Sequence, residues 1–275
     1  RRDDYLTQLA PVEYPEQPTT DPQLWLQFLD RIFDRNQQLI RFVQRLLGAS
    51  LLGEVQEQLL PIFYGTGSNG KTVLIETWCG LLGGDYAMKA PHGLLIVNKT
   101  GRHPTELADL HGKRFVAAVE TDDGGRLSEA LVKELTGGDA IRARRMREDF
   151  WEFKPSHTVV LATNHRPVVR GTDHAIWRRL RLVPFTVTIP DHEQDKQLTT
   201  KLRAEWPSIL QWAVRGCLDW QQYGLQAPDE VNVATREYRT DSDVLGEWID
   251  ECCVVGQEYK AAASDLYMSY KSWAE

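Results

Sequence analysis

The sequence has no apolar stretch of membrane-spanning length. Its longest runs, such as Leu94–Val97 and Val159–Ala162, are only a few residues long, against the roughly 18 that a helical span needs. No charged-then-apolar leader opens the chain. Cysteine is scarce: Cys79, Cys217, Cys252 and Cys253 form neither a C-x-x-C pair nor a His/Cys cluster of zinc spacing. That excludes a disulfide scaffold and a zinc module, and points to reduced, buried thiols in a cytoplasmic setting. Low-complexity and collagen-like tracts are absent. Disorder throughout is excluded by nine Trp, nine Tyr and eight Phe. An excess of positive charge is lacking too. The 32 Lys and Arg face 39 Asp and Glu, a net charge of −7, which as a whole-chain figure argues against a nucleic-acid partner.

What is present is an ordinary globular composition, 42% hydrophobic and 26% charged over 275 residues, enough for one large or two smaller domains. The first residue is Arg1 and the last, Glu275, falls in a helical pattern, so a piece of a longer polypeptide is expected. Residues 1–23 carry Pro11, Pro15, Pro18 and Pro22 and read as a linker or surface strap. Residues 24–55 form an N-terminal helical subdomain: Leu26, Leu29, Phe33 and then Leu39, Ile40, Val43, Leu46, Leu47 recur at helical spacing, with Gly48 and Gly53 as punctuation. Compact apolar runs at Leu59–Tyr64, Phe115–Val119, Thr158–Thr163 and Leu180–Thr186 predict buried parallel strands. Helical patterns fall between them at Thr72–Leu82 and Leu127–Leu135. Alternating strands and helices over 56–190 predict an α/β core. Ala140–Met146 and Phe150–Phe153 read as hairpin arms. Residues 191–243 form a C-terminal helical segment, and 244–275 two further helices.

Gly65-Thr66-Gly67-Ser68-Asn69-Gly70-Lys71-Thr72 matches G-x-x-x-x-G-K-[ST] at every fixed position. Its glycines let backbone N–H groups wrap a phosphate at a helix N-terminus. Lys71 would reach the β- and γ-phosphates and the Thr72 hydroxyl would hold Mg²⁺. A strand before the loop and a helix after it are the context this motif demands. The motif by itself indicates a nucleotide, without choosing among kinases, transporters and motors.

The run Arg114–Val119 ends in Glu120, Thr121, Asp122 and Asp123. Nucleotide hydrolysis needs a carboxylate near the metal and one to orient water. Glu120 and Asp122 are the candidates for both, and the intervening Thr121 leaves their roles open; a solvated acidic turn is the plain alternative. Val159–Thr163 ends at Asn164, which could hold the attacking water or merely cap a turn.

Between residues 141 and 181 lie ten Lys or Arg and four acids, a net +6, which leaves the rest of the chain at −13. This asymmetry removes the objection raised by the whole-chain charge. Strand alternation puts Arg142 and Arg144 on one hairpin face, with Arg145 and Arg147 on the other face or at the tip. Such a hairpin suits phosphate contacts with DNA, or is a charge-protected strand edge. Arg178 and Arg179 follow Ile176-Trp177, where a guanidinium could reach a neighbouring subunit's γ-phosphate.

Phosphate loop, acid-ended strand, basic hairpin and Asn-ended strand occur in that order within about 100 residues. The set resembles the superfamily-three helicases, a branch of the AAA+ ATPases, and in particular the helicase part of the phage, plasmid and poxvirus primase–helicases. Gly101–Ala108, Leu135–Asp139, Ala162–Pro167 and Gly171–Arg179 are similar to that family's signatures. The resemblance implies an AAA+ P-loop NTPase core with a parallel central sheet. It implies ATP and Mg²⁺ on Lys71 and Thr72, with Glu120 and Asp122 serving metal and water and Asn164 as polar sensor. Lys133 and Arg178 or Arg179 would act on ATP at a subunit interface, and Arg144, Arg145 and Arg147 would lie on a DNA-contacting hairpin in a hexamer pore. It further implies an upstream primase–polymerase domain and a downstream winged-helix domain beginning in 244–275, and a host-cell cytoplasmic location. The function expected is an ATP-dependent replicative DNA helicase. The competing readings are a small-substrate P-loop kinase and an ATP-binding loading or assembly switch.

Overall fold

The computed structural model describes residues 7–17, 19–97, 105–120, 124–171 and 173–274. The helical spacing near the N-terminus produces α1 (Gln23–Ile32) and α2 (Gln37–Ala49). The Asn36 side chain accepts from the backbone N–H groups of Gln38 and Leu39, an N-cap that starts α2. After β1 (Leu60–Tyr64) and the glycine loop comes α3 (Lys71–Tyr86). Then follow β2 (Ala87–Lys89), α4 (Thr105–Ala108), β3 (Phe115–Glu120), α5 (Glu129–Leu135), β4 (Ile141–Ala143), β5 (Trp151–Phe153) and β6 (Thr158–Thr163). The chain continues through α6 (His174–Trp177) and β7 (Leu180–Pro184). It ends in α7 (Leu198–Arg203), α8 (Trp206–Tyr223), α9 (Asp229–Ser242), α10 (Val244–Cys252) and α11 (Ala263–Ala274).

Five strands form one parallel sheet in the order β2-β3-β6-β1-β7. Both faces are covered. Phe63, Phe115 and Val160 point into a core with α1, α2, α3 and α8, while Ile62, Val116 and Leu161 point into one with α5, α6 and the hairpin. The period-two alternation of each strand thus feeds two cores, which is why the runs read as continuously apolar. β6 lies between β1 and β3, so the ends of three strands (the glycine loop, Asn164 and Glu120) converge at one edge of the sheet, where open α/β folds bind ligands.

Gly48 does not punctuate the end of α2. A Cβ there would stand 2.3 Å from the backbone N of Cys217, and one on Gly216 would stand 2.4 Å from the carbonyl of Gln44. The two glycines let α2 and α8 approach backbone to backbone, a tertiary requirement that local spacing does not reveal. The hairpin is also shorter than expected. Its ladder is confined to Ile141–Ala143 against Trp151–Phe153, and residues 144–150 form the turn.

Of the expected N-terminal strap, residues 1–6 and 18 lie outside the described residues, and its last part is tied to α8. Thr19 donates its N–H and hydroxyl to Gln211 Oε1, both at 2.8 Å, and Arg215 pairs with Asp21 at 2.6 Å. At the other end, α10 and α11 meet through Trp248 and Tyr270, edge to face at 5.7 Å, and α11 buries no residue. Among the described residues, no helix is long and apolar enough to cross a membrane.

Candidate active site

The glycine loop is held by the segment that follows β7. Phe185 N donates to Tyr64 O at 2.7 Å and Ile189 N to Ser68 O at 2.7 Å. Gly70, at φ +85°, starts α3 in a left-handed conformation. A Cβ there would collide with Ile32 at 2.4 Å, so a glycine at this position also lets α1 close over the loop. The Lys71 ammonium donates to Gly65 O at 2.6 Å and to Asn69 Oδ1 at 3.0 Å. Burial pulls its pKa down from 10.5 to about 8.

Two cavities flank the loop. The larger, about 570 Å³, is walled by Leu24 and Phe28 of α1 and by Ile189 and Leu198 opposite. The smaller, about 180 Å³, holds Glu120, Glu76 and Lys89. Lys71, Thr72 and Asn164 border both. The larger cavity has apolar walls with a charged rim and is large enough for a nucleoside, the smaller balances two glutamates with two lysines, and the glycine-loop residues lie at their junction. Glu120 is buried at 4% exposure. Its two carboxylate oxygens accept from the Gly93 N–H at 3.0 and 3.2 Å, and His92 Nε2 stands 3.6 Å away. Thr163, which pairs with Glu120 across the sheet, takes the His165 N–H on its hydroxyl and shapes the turn that presents Asn164. Asp122 lies outside the described residues. Among the described residues no three His, Cys, Asp or Glu are arranged to hold a metal.

The other cations of the expected site are elsewhere. Leu60 N donates to Arg179 O at 2.8 Å, and Leu60 pairs with Leu180 at the start of β1. Arg178, Arg179 and the end of α5 therefore sit at the edge of the sheet opposite the glycine loop, about 15 Å away at 3.3 Å per residue of strand. The two arginines differ. Arg179 is 7% exposed and donates to Thr136 Oγ1, Ala175 O and Gln58 Oε1. Arg178 is exposed, with a long 3.4 Å bond to Gln58 Oε1. Lys133 pairs with Asp173 at 2.8 Å, which holds the Asp173 carboxyl below the usual range.

All four hairpin arginines, Arg142, Arg144, Arg145 and Arg147, are exposed. Ile141 and Ala143 are buried, so strand alternation turns Arg142 outward. The Arg142 and Arg144 guanidiniums both lie over the Phe150 ring, at 4.6 and 5.0 Å, confirming that they share a face. At the base, His111 meets Trp151 and Phe153 edge to face and anchors the hairpin to the turn before β3.

A family described as one of unknown function, DUF5906, matches residues 63–179, the span from β1 to Arg179. "Putative helicase L207/L206" of Acanthamoeba polyphaga mimivirus is 29% identical over 257 residues, covering 84% of this chain and 26% of that protein. "Putative primase C962R" of African swine fever virus is 28% identical over 166 residues, covering 60% of this chain and 16% of that one. The apo structure described as the A form of the NrS-1 C-terminal region superposes with a TM-score of 0.63 at 13% identity, over 88% of this chain and 60% of that one. The chain is thus similar to viral proteins named as putative helicases and primases, and shares its fold with the NrS-1 C-terminal region. It spans only about a quarter of the mimivirus relative's length.

The structure adds contacts that motif reading did not reach. Gly93 and His92 hold Glu120 from a loop nearly thirty positions away. Arg31 and Glu193 form a 2.6 Å ion pair, and both residues line the larger cavity. Arg166 sits on the Tyr64 ring that precedes the glycine loop. Gly93, His92, Arg31 and Glu193 belong to no spacing pattern, and Arg166, although within the Ala162–Pro167 stretch, has its ring contact set only by the fold.

Proposed function

We propose that this chain is the motor segment of a replicative DNA helicase of a virus, phage or plasmid, hydrolysing ATP between the subunits of a ring, taken here as a hexamer. The observation that carries the reading is the placement of Arg178 and Lys133 at the sheet edge opposite Lys71, Glu120 and Asn164. They are too far to serve their own phosphate loop and well placed to serve a neighbour's. Viral relatives named as helicases and a primase support a helicase-type role.

In this reading, the loop amides and Lys71 bind the β- and γ-phosphates, and the larger cavity takes the nucleoside. Thr72 would hold Mg²⁺, with Glu120 and Asp122 serving it, and the ion would supply positive charge to the phosphates. Glu120 and Asn164 hold the attacking water in line, and Arg178 with Lys133 of the adjacent copy stabilises the charge that develops on the γ-phosphoryl. The hairpins, carrying Arg142, Arg144, Arg145 and Arg147, line the ring and hold single-stranded or forked DNA by its phosphates. In the full-length protein an upstream primase–polymerase and a downstream winged-helix domain would flank this segment.

Mixing two inactive variants tests the composite site. Lys71→Ala and Arg178→Ala are each expected to lose hydrolysis. Mixed, they are expected to recover a fraction of it, because some interfaces then pair an intact loop with an intact arginine. No recovery, with both variants still assembling, would rule out the shared site.

A further inference from the structure

We propose that Arg166 is a positioning residue that couples the nucleotide site of its own subunit to helix α9 and, through Tyr238, to the arginine offered at the far sheet edge. This rests on the ATPase reading above.

The arrangement is continuous. Arg166 follows Asn164 by two residues, and its guanidinium lies 5.1 Å from the centre of the Tyr64 ring. Tyr64 is the last residue of β1, next to Gly65. The same guanidinium lies 5.9 Å from the Tyr238 ring and donates to Asp241 at 2.6 Å, and both of those residues are on α9. Tyr238 is 2% exposed and donates its hydroxyl to the carbonyl of Pro167. Burial raises its pKa, so it stays a donor. On its other side Tyr238 meets Trp177, edge to face at 5.3 Å, and Arg178 is the next residue. α9 is tied to β7 by the bond from Leu182 N to Thr235 Oγ1, 2.9 Å.

A displacement of the Asn164 turn must therefore carry Arg166 with it. The planar guanidinium can slide between two rings only by shifting α9 or by breaking the Asp241 pair. Lysine could keep the ion pair, but it cannot stack a flat charged plane on two rings. The device gives one subunit a physical route from its own γ-phosphate contacts to the arginine it presents to the next, and α9 is the element whose position both ends bias.

The experiment compares Arg166→Lys and Arg166→Gln with the unaltered chain, using steady-state hydrolysis and amide hydrogen exchange with and without Mg²⁺-ADP or a non-hydrolysable ATP analogue. In the unaltered chain, nucleotide is expected to protect residues 65–72 and also 229–242. In both variants protection at 65–72 should remain and protection at 229–242 should be lost, with kcat down about tenfold and KM within about twofold. Arg166→Lys keeps the Asp241 pair, so it also guards against a folding failure in Arg166→Gln. If 229–242 is protected equally in the variants, or if Arg166→Lys restores kcat in full, the coupling is wrong. Protection of 65–72 without protection of 229–242 in the unaltered chain also overturns it, and leaves the ATPase reading standing. No protection at 65–72 overturns both.

Discussion

At the scale of single residues, burial decides roles that residue type leaves open. Lys71 is desolvated, which lowers its pKa to about 8. Bound triphosphate favours the charged ammonium and raises that value again. Above pH 8 the free site has shed the proton that the complex holds, so nucleotide binding takes up a proton and weakens as pH climbs. Calorimetry in buffers of different ionisation enthalpy should show uptake approaching one proton near pH 9 and little at pH 7; equal uptake at both would show that burial does not perturb Lys71. The adjacent arginines separate in the same way. Arg179→Ala would leave Thr136 Oγ1 and Ala175 O without this donor, leave Gln58 only its long bond from Arg178, and open a cavity, costing about 2–4 kcal/mol in unfolding measurements. Arg178→Ala should leave stability within about 0.5 kcal/mol while lowering turnover about a thousandfold. The reverse pattern would exchange their assignments.

At the scale of elements, the helices and strands were largely visible as periodic patterns, whereas their closest contact was not. α2 and α8 meet at Gly48 and Gly216, where a methyl group would strike backbone. Gly48→Ala and Gly216→Ala are each expected to cost about 2 kcal/mol or more, since neither helix can move away without opening the core. Gly84→Ala, just after the kink at Gly83 in α3 and with open space around its Cβ, should change stability by no more than about 1 kcal/mol. Thermal unfolding of the three variants checks the contrast. The hairpin shows a similar division. Alternation predicted that Arg142 and Arg144 share a face, and both lie on Phe150. The ladder was overestimated because the first arm was carried on through Arg144–Met146, which belong to the turn. Arg144→Ala with Arg147→Ala should weaken single-stranded DNA binding and make its salt dependence shallower by about one to two in log–log slope. An unchanged slope would move the phosphate contacts off the hairpin.

At the scale of the whole molecule, parallel strand order sets the two ends of the site apart. Every strand of the sheet runs the same way, so the loop at the end of β1 and the arginines before β7 cannot meet within one chain. Specific turnover should therefore rise with protein concentration until assembly is complete, and dilution should abolish it. Concentration-independent turnover over the range where sedimentation shows dissociation would mean that each chain works alone. The −7 total and the +6 block also make sense together at this scale. The basic residues between 141 and 181 are divided by the fold, with Arg142, Arg144, Arg145 and Arg147 on the hairpin, Arg166 beside the glycine loop and Arg178 at the far sheet edge, within an otherwise acidic molecule.

The sequence by itself determined the phosphate loop, the acid- and Asn-ended strands, the α/β alternation and the charge asymmetry. These are local properties, set by side-chain chemistry and by periods of two and about 3.6 residues. Tertiary structure alone decided that β6 lies between β1 and β3, that Glu120 is held by Gly93, that Arg179 is buried while Arg178 is not, and that Arg166 bridges Tyr64 and Tyr238. Each of these joins residues far apart in the chain, and such contacts follow from how two hydrophobic cores close on a common sheet, which no local pattern encodes.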